Sequence, residues 1–356
     1  LPLSSMKRRA SRQITLGGIP IGGEAPVVVQ SMTNTPTKDV VATVHQIKRL
    51  TYAGCEIVRV AVPDMESAAA LKEIKAQISL PIIADIHFDY RLALAAIENG
   101  AEGLRLNPGN IGGRRKVKEV VSAARDRAVP IRIGVNAGSL SRSILKTYGH
   151  PTPEAMVESA IGLIGMLEDL DFRLLKVSLK SSNVSHTVEA YRLLGEKLDY
   201  PFHLGVTEAG SLISGTVKNT LGIGMLLSEG IGDTVRVSLT CDPVEEVRVA
   251  YEILRALGLR QRGVEIISCP TCGRCQIDLF SLAEEVQHAL SSITTPVKVA
   301  LMGCAVNGPG EAREADVGIA GGQGYGTLFK KGKIVRKVAE HDLARALIDE
   351  VRKMVK

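Results

Sequence analysis

Eight short runs rich in β-branched and aliphatic residues recur from residue 27 to about 258, each followed by an amphipathic stretch, and this alternation limits the fold more than any other feature. The runs lie at 27–33, 56–62, 82–87, 103–107, 131–136, 174–180, 202–207 and 234–240. Helical patterns fill the gaps, among them Val40 to Tyr52, Ala69 to Ile78, Glu154 to Leu170 and Glu245 to Leu257, and Gly54, Gly100 and Gly258 stand where helix C-caps belong. Eight such units over about 230 residues match the count and length of a closed (β/α)8 barrel. An open doubly wound sheet is the alternative, but no G-x-G-x-x-G follows the first strand. After Gly258 the rhythm stops. A charged linker, Leu259 to Gly263, leads into a strand, a cysteine loop, a helix (Leu279 to Leu290), a strand (Val297 to Leu301), a second cysteine loop, a strand and a final helix. The expectation is an α/β chain: a (β/α)8 TIM barrel over 1–260 and a small α+β domain over 261–356.

Composition fits this reading and narrows the partners. The chain has no Trp and only 3% aromatic residues, so its core must be Val, Ile, Leu and Ala, the usual filling of parallel-sheet proteins. A formal charge of +6 points to an anionic partner. Nucleic acid is disfavoured, because the basic residues are dispersed and stacking aromatics are scarce. A phosphorylated small molecule is the better match. No apolar stretch follows Lys7-Arg8-Arg9 that could serve as the core of a signal peptide, and no later run reaches the ~20 apolar residues of a membrane span. A soluble, cytoplasmic protein is expected, with Met6 close to the natural start.

The alternation inside the strands carries the first functional signal. In 235–240 the apolar Val235, Val237 and Leu239 share one face, and Arg236, Ser238 and Thr240 share the other. The apolar face should meet the helices, so the polar face points into the barrel. The same parity turns Arg59, Arg105, Arg132 with Asn136, Asp85 with His87, and Lys176 with Ser178 and Lys180 inward. A cation enclosed by a barrel is costly unless paired or neutralised by a ligand. Several from different strands make a convergent anion pocket, with Arg suited to bidentate phosphate contact. Some could instead pair with Asp85 or Glu208. The glycine-rich loop 107–113 could offer backbone N–H groups to phosphate or be a plain turn. Glu208, after Thr207 at the end of the seventh strand, is placed either to donate a proton during bond cleavage or to form a salt bridge.

Four of the six cysteines crowd into the C-terminal segment, as Cys269-Pro-Thr-Cys272-Gly-Arg-Cys275 and Cys304. In a reducing compartment such clustering reads as metal ligation. Zinc is one reading, yet a zinc ribbon returns with a second C-x2-C pair, and here the second loop supplies only Cys304. The C-x2-C-x2-C run is similar to a ferredoxin run and favours an iron–sulfur cluster. Cys55 reads as a small buried hydrophobe, and Cys241 is unassigned.

Across nearly its whole length the chain resembles the 4-hydroxy-3-methylbut-2-enyl diphosphate synthase family of the methylerythritol phosphate route. The segments that carry the resemblance are 29–35 (VQSMTNT), 84–89 (ADIHFD), 104–112 (LRLNPGNIG), 134–139 (GVNAGS), 205–210 (GVTEAG), 268–273 (SCPTCG) and 302–311 (MGCAVNGPGE). The resemblance implies a [4Fe-4S] cluster on Cys269, Cys272, Cys304 and Glu311. It implies two-electron reduction of 2-C-methyl-D-erythritol 2,4-cyclodiphosphate with ring opening and loss of water, the electrons coming from flavodoxin or ferredoxin. It further implies substrate binding by Arg59, Asp85, His87, Arg105, Arg132, Asn136, Lys180, Thr207, Arg236 and Ser238, with Glu208 as proton donor and Asn307 beside the cluster. A homodimer is implied as well. A carboxylate ligand such as Glu311 is more easily displaced from iron than a thiolate, leaving room for a substrate oxygen. Cys275 departs from the family motif, which requires no cysteine there, and either competes as a ligand or points away. Two other readings stay open: a metal-independent barrel lyase or synthase with a zinc domain, and an iron–sulfur sensor that binds nucleic acid.

Overall fold

The computed structural model describes residues 7–304 and 314–355, and the chain divides into two compact units between Arg260 and Gln261. In the first unit a hairpin, β1 (Ile14–Leu16) and β2 (Ile19–Ile21), precedes eight parallel strands: β3 (Val28–Met32), β4 (Ile57–Ala61), β5 (Ile82–Asp85), β6 (Gly103–Leu106), β7 (Ile131–Asn136), β8 (Leu175–Lys180), β9 (His203–Leu204) and β10 (Thr234–Val235). They run in the order β8-β7-β6-β5-β4-β3-β10-β9, and a parallel bridge between Val177 and Phe202 joins the two ends. The ring rules out the open sheet. All eight predicted runs contain a strand. The last two are shorter than expected, because the chain leaves the regular ladder after Leu204 and Val235; Arg236 and Ser238 continue directly beyond β10, and Thr207 and Glu208 lie beyond β9 toward the C-terminal rim.

Helices α1 (Val40–Ala53), α2 (Met65–Lys75), α3 (Tyr90–Glu98), α4 (Arg114–Asp126), α5 (Arg142–Tyr148), α6 (Pro153–Glu168), α7 (Val184–Gly195), α8 (Leu212–Ser228) and α9 (Pro243–Ala256) alternate with the strands. Their starts are encoded locally. Asp39, Asp64, Asp89, Thr152, Asn183 and Asp242 each accept a backbone N–H from the first turn, a cap worth about 1 kcal/mol. Gly54 ends α1 at φ 107° and donates to the Leu50 and Thr51 carbonyls, a left-handed cap that glycine adopts freely. Outward strand residues such as Val58, Val60, Leu104, Ile131, Ile133 and Val177 pack with Leu71, Val120, Leu167 and Leu194 of the helices. Each such side chain contributes roughly 1.5–3 kcal/mol by leaving water.

The hairpin β1–β2 was not anticipated. Its two-residue turn is Gly17-Gly18, both with positive φ, the geometry that hairpins of this length require. Ile14, Leu16 and Ile21 pack on Val28, Ile57 and Ile83 at the N-terminal ends of their strands, so the hairpin floors the barrel. Gly103 makes room for it: a Cβ there would lie 2.9 Å from Leu16 Cδ1.

The second unit is a five-stranded sheet, β11 (Val264–Ser268), β12 (Val297–Met302), β13 (Val317–Gly322), β14 (Tyr325–Lys330) and β15 (Lys333–Ala339), in sequence order. The first three strands are parallel and the last two antiparallel. Helices α10 (Leu279–Leu290) and α11 (Leu343–Met354) cover one face through Leu282, Val286, Leu290, Leu343, Leu347 and Val351. A single strand was expected after the second cysteine loop, and three are present. The turn Lys331-Gly332, with φ 46° and 73°, reverses the chain between the second and third of these. Among the described residues no helix is long and apolar enough to cross a membrane.

Candidate active site

Neighbouring barrel strands are offset so that inward side chains stack in layers contributed by alternate strands. Just above the floor lie Ile57, Gly103, Lys176 and Thr234, then Gln30, Ile83, Arg132 and His203. Arg59, Arg105, Ser178 and Arg236 form the next layer, with Met32, Asp85, Gly134 and Gly205 above it. Lys180, Ser238 and Asn107 come next, and His87, Asn136 and Thr207 reach the C-terminal rim. Strand parity therefore selected the inward cations correctly. It did not select Gln30 or His203, although the alternation in 202–207 turns His203 inward with Gly205 and Thr207.

Positive charge dominates this interior. Asp85 is the inward carboxylate and binds three partners: Arg105 at 3.3 Å, His87 at 3.3 Å and Arg59 at 3.9 Å. Burial alone would raise its pKa, but the charges of Arg59, His87 and Arg105 win and hold it well below the usual carboxylate range. Arg236 turns to Glu246 in the first turn of α9, at 3.1 Å. Glu246 also accepts from Leu239 N–H and Ser31 Oγ–H. It was not foreseen, although it falls on the buried stripe of α9 beside Val247 and Ala250. Arg132 donates to Ser178 Oγ at 2.8 Å and meets no carboxylate there.

Burial first, and mutual repulsion after it, lowers the pKa values of these groups. Burial, with Arg236 and Arg105 nearby, brings Arg59 down to about 10 despite Asp85. Burial and Arg132 bring Lys176 down to about 7. Arg132, Lys180 and His203 are depressed further by burial and by neighbouring cations. Arg105 Nε, Arg132 Nε and Nη2, Arg236 Nε and Lys176 Nζ are buried donors without a protein partner. Leaving such a group unpaired costs roughly 1–3 kcal/mol, which an anion with several oxygens would recover. Two glycines preserve the space these cations need. A Cβ on Gly134 would lie 2.8 Å from Arg105 Nε, and one on Gly205 would lie 2.7 Å from Lys180 Nζ.

Glu208 stands at the rim, exposed, with φ 53°. A non-glycine residue in the left-handed region is strained by roughly 1–3 kcal/mol, and such strain concentrates at functional sites. Glu208 forms no ion pair among the described residues, so the salt-bridge reading for it falls away. In the loop 107–113, Asn107 accepts from Gly109 N–H through Oδ1 and from Asn110 N–H through its carbonyl oxygen. Those two amides serve the turn itself.

In the second unit, Cys269 follows β11 and Cys304 lies two residues beyond β12, its parallel neighbour, so both cysteine loops leave the same edge of the sheet. Gly303 N–H donates to Cys269 Sγ at 3.3 Å. A Cβ on Gly303 would fall 3.6 Å from Cys269 Sγ and 2.4 Å from Cys275 Sγ. Cys275 thus faces the loop junction rather than solvent, while Cys272 is exposed. No three metal-binding side chains converge among the described residues, and Asn307 and Glu311 lie outside them. The donor chemistry nevertheless fits an iron–sulfur cluster: all four thiols are free, soft, and supplied by two adjoining loops. Cys55 is buried as expected, its thiol donating to Ile57 O, and burial pushes its pKa up to about 12.

A closed (β/α)8 barrel with inward cations, followed in the chain by a cysteine-bearing α+β unit, defines the class: a barrel suited to an anionic ligand, joined to a separate unit whose thiols suit a metal centre. Family comparison agrees: residues 11–251 match the GcpE TIM-barrel domain and residues 265–353 match the GcpE protein C-terminal domain. The chain belongs to the GcpE family. A relative from Geobacter sulfurreducens named 4-hydroxy-3-methylbut-2-en-1-yl diphosphate synthase (flavodoxin) is 63% identical over 345 residues, covering 97% of this chain and 98% of its own. One of the same name from Thermodesulfovibrio yellowstonii is 61% identical over 348 residues, covering 98% and 100%. Among solved structures, dihydropteroate synthase from Stenotrophomonas maltophilia matches 70% of this chain and 98% of its own, with TM-score 0.51 and 15% identity. Type I 3-dehydroquinate dehydratase from Clostridium difficile matches 69% and 98%, again with TM-score 0.51 and 15% identity. These two likenesses concern the barrel fold alone.

The glycine at 134 gives a direct test of the cation geometry. Gly134→Ala should displace the Arg105 guanidinium and weaken binding of inorganic pyrophosphate by roughly 10-fold, about 1.4 kcal/mol, measured by titration calorimetry. Unchanged affinity would mean that Arg105 does not face the anion.

Proposed function

We propose that this protein reduces 2-C-methyl-D-erythritol 2,4-cyclodiphosphate to 4-hydroxy-3-methylbut-2-enyl diphosphate, a step of isoprenoid precursor synthesis. The observation that carries this reading is near full-length identity to relatives that bear the product's name. In each turnover the substrate takes up two electrons and two protons, the ring bond between carbon and diphosphate opens, and one hydroxyl leaves as water. Residues 1–260 form the substrate-binding domain and 261–356 the cluster domain.

Within the barrel, Arg59, Arg105, Arg132, Lys180 and Arg236 neutralise the diphosphate, and Asn136, Thr207 and Ser238 donate to its oxygens from the rim. Asp85 holds Arg59, Arg105 and His87 in their forks, so they meet the ligand already oriented. Glu208, held in its strained rim position, delivers a proton to the departing oxygen. Cys269, Cys272, Cys304 and Glu311 hold a [4Fe-4S] cluster, with Asn307 beside it. Bound there, the cluster supplies single electrons and a Lewis-acidic iron. Flavodoxin or ferredoxin delivers the electrons, and the names of the relatives favour flavodoxin. A cytoplasmic location suits a chain whose cysteines are all free thiols.

We also read the protein as a homodimer, supported by α8. Its seventeen residues carry one charge, Lys218, and Ile213, Val217, Leu221 and Met225 form an exposed apolar stripe at four-residue spacing. A helix apolar on its outer face calls for a cover, and a twofold-related copy presents the same stripe to itself.

Glu208→Gln should retain pyrophosphate affinity and lose at least ~100-fold in turnover; near-normal turnover would remove it as the acid. Cys304→Ser should yield protein without iron or labile sulfide, whereas Cys275→Ser should keep both. Full iron in the first variant would sink the ligand assignment, and loss of iron in the second would make Cys275 a ligand. The double variant Val217→Asp, Leu221→Asp should run as a monomer by light scattering, and an unchanged dimer would place the interface elsewhere.

A further inference from the structure

At and below the level of Arg132, the barrel holds further polar groups that the diphosphate assignment does not use. Lys176 on β8 is 1% exposed, and its Nζ has no protein partner. Its register neighbour on β7 is Arg132, which is 3% exposed and keeps two unpartnered nitrogens. His203 on β9 is wholly buried, with Nδ1 bonded to Thr234 Oγ1 at 2.8 Å and Nε2 free of any protein partner. Gln30 on β3 leaves both amide atoms unpartnered. The β1–β2 hairpin closes the barrel below them. These buried polar groups therefore lie between the floor hairpin and the cations of the anion site.

Burial is the largest influence holding the Lys176 ammonium down, and the charges around it come second. Arg132 from β7 and Arg59 from β4 oppose its protonation, and Asp233, at the start of β10, favours it. Asp233 is already engaged by Arg8 at 3.0 Å and Arg9 at 3.8 Å, and it accepts from Phe202 N–H and Ser11 Oγ–H. His203 from β9 is held neutral by burial and by Lys180, Arg132 and Lys176. Among the described residues no carboxylate pairs with Lys176, and an anion in the site above would supply counter-charge. An anion seated on Arg59, Arg105 and Arg132 offsets the cation repulsion that adds to burial in holding Lys176 down. The ligand then favours the ammonium form without touching it.

We infer that Lys176 is a positioning residue beneath the anion site that accepts a proton when the diphosphate group binds, so that ligand capture is coupled to proton uptake. The inference rests on the reading of the barrel as the cyclodiphosphate site. The sign follows from Lys176 titrating near 7 in the free barrel. Below that pH it is charged in both states and binding moves no proton. Above it, the free form is neutral, the bound form charged, and one proton enters per ligand. Lys180 is depressed in the same way and adds its own share, which substitution at 176 leaves in place.

The test is calorimetric titration of the full-length protein with the cyclodiphosphate, without reductant, at about pH 8 in two buffers of different ionisation enthalpy. The phosphates of that ligand are diester-like and stay fully ionised there, so any proton counted enters the protein. Wild type should take up protons on binding, and Lys176→Met should take up fewer by about one. Lys176→Met should also melt no lower than wild type, because it removes an unpaired buried polar group. Lys176→Gln, which keeps a polar head, serves as the second variant and should show the same loss of uptake. Equal proton uptake in wild type and both variants would overturn the inference while leaving the barrel site intact. A wild-type chain that does not bind the cyclodiphosphate would overturn the reading of the barrel and this inference with it.

Discussion

Six cationic side chains enclosed by one β-barrel repel one another, and the interior of the first unit is arranged around that repulsion. Two carboxylates relieve it only in part. Asp85 gathers Arg59, Arg105 and His87, and Glu246 takes Arg236, which leaves Arg132, Lys176 and Lys180 without an acidic partner among the described residues. A hydrophobic core would be cheaper, so the barrel holds a standing deficit that a multivalent anion removes. Gly134 and Gly205 keep the space open for Arg105 and Lys180, and the floor hairpin closes the opposite end. The orphaned nitrogens, the depressed titrations and the two glycines are consequences of one arrangement, a buried cluster of cations with too few carboxylates to pair them.

The second unit solves a different problem with the same economy of means. Parallel strands β11 and β12 are in register, so the loops that follow them start side by side, and Cys269 and Cys304 inherit that proximity from the sheet. Gly303 sits at the junction with no side chain, its N–H turned to Cys269 Sγ and its Cα face filled by the thiols of Cys269 and Cys275. A centre bound there is anchored on the sheet rather than on a free loop. Cys269 and Cys304 would then hold it close to a stiff edge, which a redox site needs if its geometry is to survive a change of charge.

The barrel was legible in the sequence because each strand is buried on its helix side, so every second residue must be apolar, and any charge at the remaining positions must face inward. Arg59, Arg105, Arg132, Lys176 and Arg236 stood out for that reason. His203 obeys the same parity but, being able to stay neutral, did not announce itself as a charge would. Gln30 was passed over for the same reason. Glu246 was hidden because a glutamate in a first helical turn ordinarily faces water. The floor hairpin escaped although Gly17-Gly18 marks its turn, because three-residue strands are too short to show alternation. In the cysteine unit the spacing marked the segment as metal-binding and left zinc and an iron–sulfur cluster both open. That Cys275 packs against Gly303 could not be read from the spacing, since it depends on how the loop after β11 folds back over the end of β12.

The central claim joins an anion-binding barrel to an iron–sulfur centre that reduces what the barrel holds. Its most direct test is the iron and labile sulfide content and the visible spectrum of anaerobically purified protein, before and after addition of the cyclodiphosphate to the dithionite-reduced form. The account predicts a brown protein with about four irons per chain whose reduced spectrum changes when the ligand is added. A colourless protein carrying about one zinc per chain, with no spectral response, would contradict it and leave the barrel without a reductant.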